Sequence, residues 1–350
     1  MNDRALRLGT RGSALAVAQS RRVADALRAV TGREVELVEI VTAGDRSTMP
    51  VHRLGVGVFV SALRDALLAG EIDFAVHSYK DLPTAAHEGL CVAAVPPRED
   101  PRDALVARGG RTLTELPSGA TVGTGSLRRI AQLHALGLPL TVVPIRGNVD
   151  SRLRRVSGPD ADLDAVVVAR AGLARLGRAA EISEVLDPAL MLPAPAQGAL
   201  AVECRADDHE VRAVLAALDH APTRLAITAE RAFLATLEAG CSAPVAALAV
   251  VAEGETGEEI YLRGAVISPD GSRCHRLSRS LAVPTDGGAA AALAAAQEVG
   301  QSLAVDLLDA GADKILDASA PSGAQAQEDA PLPSGAQTQD MGATENDPHP

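Results

Sequence analysis

Residues 192–205 read LPAPAQGALAVECR. Two prolines and a glycine within the first seven positions make a connector that neither a helix interior nor a central strand tolerates. The connector runs straight into ALAVECR, a short apolar strand pattern. Where that strand goes decides the fold. Upstream, strand and helix patterns alternate in two successive series, and each series calls for a sheet flanked by helices. A late strand that returns to the first sheet makes the first domain discontinuous, and that is the expected arrangement.

The first series comprises the strand ALRLGT, a helix from 14 to 30 capped by Ser13, and the strand VELVEIVT. A helix over 59–69 and the strands IDFAVHS and LCVAAVP complete it. The breaker-rich PPREDPRD closes it. The second series runs through ATVGTGS, a helix over 127–136, LTVVPIR, a helix near 148–156, LDAVVVAR and a helix over 171–177.

The C-terminal third reads differently. Pro222 suits the first turn of a helix through Glu238, with Leu225, Ala229, Phe233 and Leu237 on one stripe. Gly240 is expected to supply the left-handed stop. Three strands joined by glycine-containing turns follow, and then a helix over 288–309: an α+β unit with a three-stranded antiparallel sheet. The expected domains are 1–98 with 195–218, then 102–192, then 222–317. Residues 318–350 repeat PSGAQ twice and carry five acids, no basic residue and few large apolar ones, so they are expected to be a disordered tail.

Composition narrows the function classes. Thirty-three basic and 45 acidic residues leave a net charge of −12, which argues against a general nucleic-acid binder. No apolar signal core opens the chain, and no run of roughly 18 apolar residues calls for a membrane span. The four cysteines (91, 204, 241, 274) form no CxxC pair, so no metal site is expected. A cytoplasmic protein with reduced thiols is the simplest expectation. The charge is uneven, however: residues 102–178 hold twelve arginines against six acids.

Several of those arginines fall in loops after strands, where open α/β sheets bind ligands. GTRGS (9–13) places Arg11 and Ser13 before a helix N-terminus. GTGSLRR (123–129) does the same with Thr124, Ser126, Arg128 and Arg129, and IRGNVDSR (145–152) adds Arg146 and Arg152. A helix N-terminus with arginine is suited to carboxylate or phosphate. HSYKDLP (77–83) follows a buried strand pattern and sets Lys80 beside Asp81. That pair is either a loop ion pair or, in an arginine-lined cleft, a carboxylate able to stabilise developing positive charge. His77 is either an acid/base or a packed strand-end histidine, the latter favoured by its position. Cys91, Cys204 and Cys274 lie in strand patterns and read as small buried hydrophobes. Cys241, in LEAGCSAPV, sits in a Gly-Cys-Ser turn and reads as a nucleophile or an attachment point.

Together, LRLGTRGSALAVAQ, DFAVHSYKDLPT, REDPRDAL, VGTGSLRR, IRGNVDSRL, PAQGALAVECR and LEAGCSAPV resemble the porphobilinogen deaminase (hydroxymethylbilane synthase) family, over roughly residues 4–317. The resemblance implies two α/β domains like type II periplasmic binding proteins plus a smaller α+β domain. It also implies a dipyrromethane cofactor joined by a thioether to Cys241. On that primer four porphobilinogen molecules condense with loss of ammonia, and 1-hydroxymethylbilane is then released by hydrolysis. Asp81 matches the catalytic aspartate. Arg11, Arg128, Arg129, Arg146 and Arg152 match the arginines for cofactor and substrate carboxylates, with Ser13, Lys80, Thr124 and Ser126 adding hydrogen bonds. Gln197 falls on the segment between the first two domains. The family is typically monomeric. Three positions depart from its pattern: Val56 in GVGVF stands for a lysine, Gly125 for a serine, and Tyr79 for a common methionine. The competing readings are a carboxylate sensor built on the same two-domain clamp, which leaves Cys241 unused, and a thiol hydrolase, which lacks a placed histidine.

Overall fold

The computed structural model describes residues 4–41, 60–239, 243–255 and 257–319. Val56 and its loop, Gly240, Cys241 and the segment from 320 onward lie outside the described residues.

The first sheet holds β1 (Leu6–Thr10), β2 (Val35–Glu39), β3 (Phe74–Ser78), β4 (Leu90–Ala94) and β10 (Leu200–Arg205), in the order β2-β1-β3-β10-β4. β1 runs parallel to β2 and β3, and β10 is antiparallel to β3 and β4. The strand after LPAPAQG does return to the first sheet. The second sheet holds β5 (Asp103–Ala107), β6 (Thr121–Thr124), β7 (Thr141–Pro144), β8 (Ala165–Ala169) and β9 (Glu184–Val185), in the order β7-β6-β8-β5-β9. Its plan repeats the first: three parallel strands, then an antiparallel strand that the chain inserts directly after crossing from the other sheet. β5, DALVA, is buried along its whole length and went unrecognised in the sequence because PPREDPRD reads as loop up to its first residue.

Helices cover both sheets. Against the first lie α1 (Ala14–Thr31) and α2 (Ser61–Leu68). Leu8, Val23, Leu27, Phe74 and Val202 form one core, and Leu63, Leu67 and Ile72 the other. Ser13 caps α1 as expected, its Oγ accepting from Ala16 N at 3.3 Å. The second sheet carries α3 (Leu127–Ala135), α4 (Val149–Ser157) and α5 (Arg170–Arg175), each beginning directly after a strand or its loop. A short α6 (His209–Leu215) follows β10.

The last part is the expected three-stranded antiparallel sheet of β11 (Val245–Glu253), β12 (Glu258–Ile267) and β13 (Cys274–Ala282). Helices α7 (Ala221–Thr236) and α8 (Gly288–Asp309) pack on it around Phe233, Ile260, Leu262, Val299 and Leu303, and α9 (Asp313–Ser319) ends the described chain. Pro222 lies in the first turn of α7, and His220 caps it by accepting from Thr223 N. The helix stops earlier than expected, at Thr236, and among the described residues just after it Glu238 is left-handed (φ 51°), while the expected stop at Gly240 lies outside the described residues. The cysteines divide: Cys204 is buried, Cys91 is half-buried, and Cys274 is exposed at the start of the edge strand β13. The expectation for Cys274 is thus corrected, because an edge strand leaves side chains uncovered.

Two connectors, 95–102 and 186–199, join the first two sheets, and they touch. Glu99 N donates to Gly198 O at 3.2 Å, and Gln197 Nε2 to Pro101 O at 2.7 Å. A Cβ on Gly198 would lie 2.4 Å from the Glu99 carbonyl oxygen, and its φ is +88°, so only glycine serves there.

Candidate active site

β3 ends at Ser78, and a single 3₁₀ turn, Tyr79–Asp81, follows. The turn is pinned at its start by Tyr79 N donating to Ala199 O (3.1 Å) and closed by Leu82 N donating to Tyr79 O (3.1 Å). Asp81 emerges from it exposed, while Lys80 is partly covered. Lys80 Nζ donates to Gln197 Oε1 at 3.3 Å. Burial pulls the Lys80 ammonium down to about 8; Asp81 opposes that shift and the Arg129 charge adds to it.

Gln197 leads to the centre of the site. Its Nε2 donates to Asp103 Oδ1 at 2.8 Å. Asp103, the first residue of β5, is fully buried and receives both neighbouring arginines of α3. Arg129 donates to Asp103 Oδ1 from Nε (3.1 Å) and Nη2 (2.8 Å), and Nη1 donates to Val167 O (3.0 Å). Arg128 Nη2 lies 2.8 Å from Asp103 Oδ2, and its Nη1 donates to Leu192 O at 2.6 Å. Burial works against the Asp103 charge, yet the two guanidiniums outweigh it and hold the carboxyl down to about 2. Burial likewise lowers Arg128, with Asp103 opposing. One carboxylate therefore serves two buried guanidiniums, and Arg128 Nε has no hydrogen-bond partner among the described residues.

That surplus of charge faces a cavity lined by Lys80, Ser126 and Arg128 together with Pro195, Leu234 and Ala243. Ala243 lies two residues beyond Cys241 in the chain. Thr124, buried at the end of β6, accepts from Ser126 N at 3.4 Å and shapes the turn into α3. Across that turn, a Cβ on Gly125 would meet the Ile145 carbonyl oxygen at 2.5 Å, so the Ile145 backbone lies directly against it. Asn148 caps α4, and Arg152 Nε holds Gly147 O at 2.9 Å. Burial lowers Arg152 to about 10, with Arg129 and Arg146 adding to the shift. Arg146 is exposed on the same loop. Arg11 and Ser13 occupy the β1–α1 junction, where Ser13 serves the helix cap.

The structure thus draws Lys80, Gln197, Arg128 and Arg129 into one network through a residue that sequence reading passed over. Asp103 had a signal: an acid opening a wholly apolar strand needs a buried cation. Glu203 in β10 had the same one. It is bonded bidentately by Arg64 (2.8 and 3.2 Å to Oε1, 3.1 Å to Oε2) and lies 3.2 Å from His77 Nε2. His77 is therefore a packed strand-end histidine.

The donor set suits an organic polycarboxylate. Guanidiniums match carboxylates in a forked geometry, and the unpartnered buried Arg128 Nε is a donor still to be satisfied. Residues 6–213 match the family described as "Porphobilinogen deaminase, dipyromethane cofactor binding domain", and residues 224–309 its C-terminal domain. A porphobilinogen deaminase of Nocardia farcinica is 58% identical over 89% of this chain and 88% of its own. One of Mycobacterium marinum is 54% identical over 91% and 100%.

The chain belongs to the porphobilinogen deaminase family.

Among solved structures, this porphobilinogen deaminase family member is similar at low identity to the methionine-binding protein MetQ (15% identity, TM-score 0.38, 61% of this chain and 89% of that one). It is likewise similar to a periplasmic substrate-binding protein from Coxiella burnetii (13%, 0.39, 61% and 91%). In the family setting, the buried arginine pair reads as a fixed electropositive floor, with Arg146 and Arg152 on the adjoining loop.

Proposed function

We propose that this chain is a hydroxymethylbilane synthase. It condenses four porphobilinogen molecules head to tail with release of ammonia and frees 1-hydroxymethylbilane by hydrolysis. Each condensation forms one carbon–carbon bond, breaks the carbon–nitrogen bond of the aminomethyl group, and releases a ring proton. The dipyrromethane cofactor, when bound through Cys241, supplies the pyrrole carbon that is extended.

The observation that carries this reading is the Asp103–Arg128–Arg129 cluster beside Lys80, with one guanidinium nitrogen unsatisfied. Porphobilinogen bears an acetate and a propionate, so each addition brings two more carboxylates. Arg128 and Lys80 would bind them, helped by Arg11, Arg146 and Arg152, with Ser13, Thr124 and Ser126 donating hydrogen bonds. Arg129 and Gln197 would hold that floor in place. Asp81, exposed at the tip of its turn, would stabilise positive charge on the pyrrole nitrogen as ammonia departs and accept the proton released. We also propose a division into 1–98 with 195–218, 102–192 and 222–317, supported by the two crossing connectors.

We also propose a cytoplasmic monomer, and the net charge of −12 argues against a nucleic-acid partner. No helix among the described residues is long and apolar enough to cross a membrane. Intact mass of the purified protein tests the reading most directly. The native chain is expected to carry a dipyrromethane-sized adduct that Cys241→Ala lacks, and to release ammonia from porphobilinogen. A native chain of unmodified mass that releases none would overturn it.

A further inference from the structure

The turn that carries Lys80 and Asp81 is gripped from outside its own sheet. Arg231, on α7, donates from Nη1 to Leu82 O at 3.0 Å and from Nη2 to Pro83 O at 2.6 Å. The same guanidinium lies over the Tyr79 ring, its Cζ 4.6 Å from the centroid. One side chain thus holds both flanks of the Tyr79–Asp81 turn: the aromatic residue that opens it and the two carbonyls that leave it. Arginine can do this because it is a flat cation that stacks on a ring while its forked N–H groups donate sideways.

The helix that supplies Arg231 is itself immobilised. The preceding residue, Glu230, is fully buried and binds Arg98 at 2.6 and 3.0 Å. It also accepts from Ala196 N (2.5 Å) and Ala249 N (2.7 Å). Ala196 has a left-handed backbone (φ 62°), an unfavourable state for alanine that the Glu230 carboxylate holds in place. One turn further along α7, Leu234 lines the cavity that Lys80 and Arg128 share.

We propose that Arg231 is a positioning residue for the condensation: by clamping residues 79–83 to α7 it fixes the direction in which the Asp81 carboxylate meets the substrate. The proposal rests on the hydroxymethylbilane synthase reading. Arg231 touches neither substrate nor the reacting atoms in this role; it acts through the turn. A misplacement of about 1 Å at a reacting group costs on the order of a hundredfold in rate, so loss of the clamp should fall on kcat.

The test compares Arg231→Met, Arg231→Lys, Tyr79→Phe and Tyr79→Leu with the native full chain. Intact mass gives dipyrromethane loading, thermal melting gives stability, and kcat is expressed per loaded chain. Arg231→Met is expected to lose about a hundredfold in kcat, with KM for porphobilinogen within about twofold and loading unchanged. Arg231→Lys should recover little, since an ammonium cannot stack and fork together. Tyr79→Phe should keep native kcat, because the ring face is what Arg231 uses, and Tyr79→Leu should fall between. Native kcat in Arg231→Met overturns the proposal. So does a raised KM with kcat intact, which would make Arg231 a substrate-binding residue, and so does reduced loading with native kcat per loaded chain. If Arg231→Met does not fold, the kcat of Arg231→Lys and Tyr79→Leu decides by the same criteria. Failure of the underlying reading is separate: the native chain itself would then carry no adduct and release no ammonia.

Discussion

Asp103 and Arg129 meet in the interior with both side chains buried, Asp103 Oδ1 accepting from Arg129 Nη2 at 2.8 Å and Nε at 3.1 Å. Arg128 shares the other oxygen. The cluster is therefore net positive before any ligand arrives. Buried ion pairs are fixed in direction and cost reorganisation energy only once, at folding. A rigid cationic floor of this kind suits a growing bound chain that gains carboxylates at every addition.

Removing the shared carboxylate should be severe. Asp103→Asn leaves two buried guanidiniums without a counter-charge, and a cost of about 3–5 kcal/mol is expected, measurable by urea denaturation at pH 7. The pH dependence follows from Asp103 being held down to about 2, below its ordinary 3.8. Because the folded value is the lower one, the unfolded chain binds the proton first. The stabilisation is complete above about pH 5 and is lost as pH falls through 4 toward 2, by about 2 kcal/mol from this group. Asp103→Asn should show a correspondingly shallower loss across that window.

Lys80 gives the opposite limb. Its ammonium titrates near 8 in the folded protein, so its charge is present below that pH and disappears above it. The cation proposed to bind substrate carboxylate is then lost, and kcat/KM should decline above about pH 8. Lys80→Arg should remove that decline, because a guanidinium stays charged. Lys80→Met should be low and flat from pH 6.5 to 9.5 in that limb. A native profile in which Lys80→Met retains the same decline would assign it to another group.

Gly125 appears in the sequence as the loss of a hydroxyl donor, and restoring it looks like an improvement. The backbone argues otherwise. A Cβ there would sit 2.5 Å from Ile145 O, and a backbone carbonyl yields only if the 145–147 segment moves. Gly125→Ser should therefore raise KM for porphobilinogen by displacing Arg146 and Arg152, with a stability loss of about 1–3 kcal/mol from overpacking. Steady-state kinetics and a denaturation curve on the same sample check both.

Glu230 binds two backbone N–H groups and one arginine with two oxygens. Glu230→Gln keeps the shape but removes the charge and one acceptor. The largely covered Arg98 guanidinium is then unbalanced, and a loss of about 3 kcal/mol is expected, read as a lower melting temperature.

Much of this was legible one residue at a time. Ser13 before an apolar-periodic run gives the α1 cap, Pro222 the start of α7, and the breaker run 192–198 followed by ALAVECR the strand that returns. Each is a local rule of backbone geometry, and local rules act within a turn or two of the chain. The strand-end loops with Arg128, Arg129 and Lys80 were legible for the same reason. The strand of the other crossing was less so: DALVA follows PPREDPRD without a break, so Asp103 reads as the last residue of a loop, and only the apolar run after it signals a buried acid.

The sequence by itself determined that there are three sheets, though not the strands β5 and β9 of the second, together with the arginine loops, the Lys80–Asp81 turn and Cys241 as the residue of interest. Tertiary structure alone decided that Arg128 and Arg129 share one buried carboxylate about 25 residues upstream, that Gln197 links it to Lys80, and that Arg231 grips the Tyr79–Asp81 turn from another sheet's helix. The physical reason is the same in each case. Charge pairing in a low-dielectric interior depends on distance through space, and distance through space is set by how distant strands pair, which no short stretch of the chain encodes.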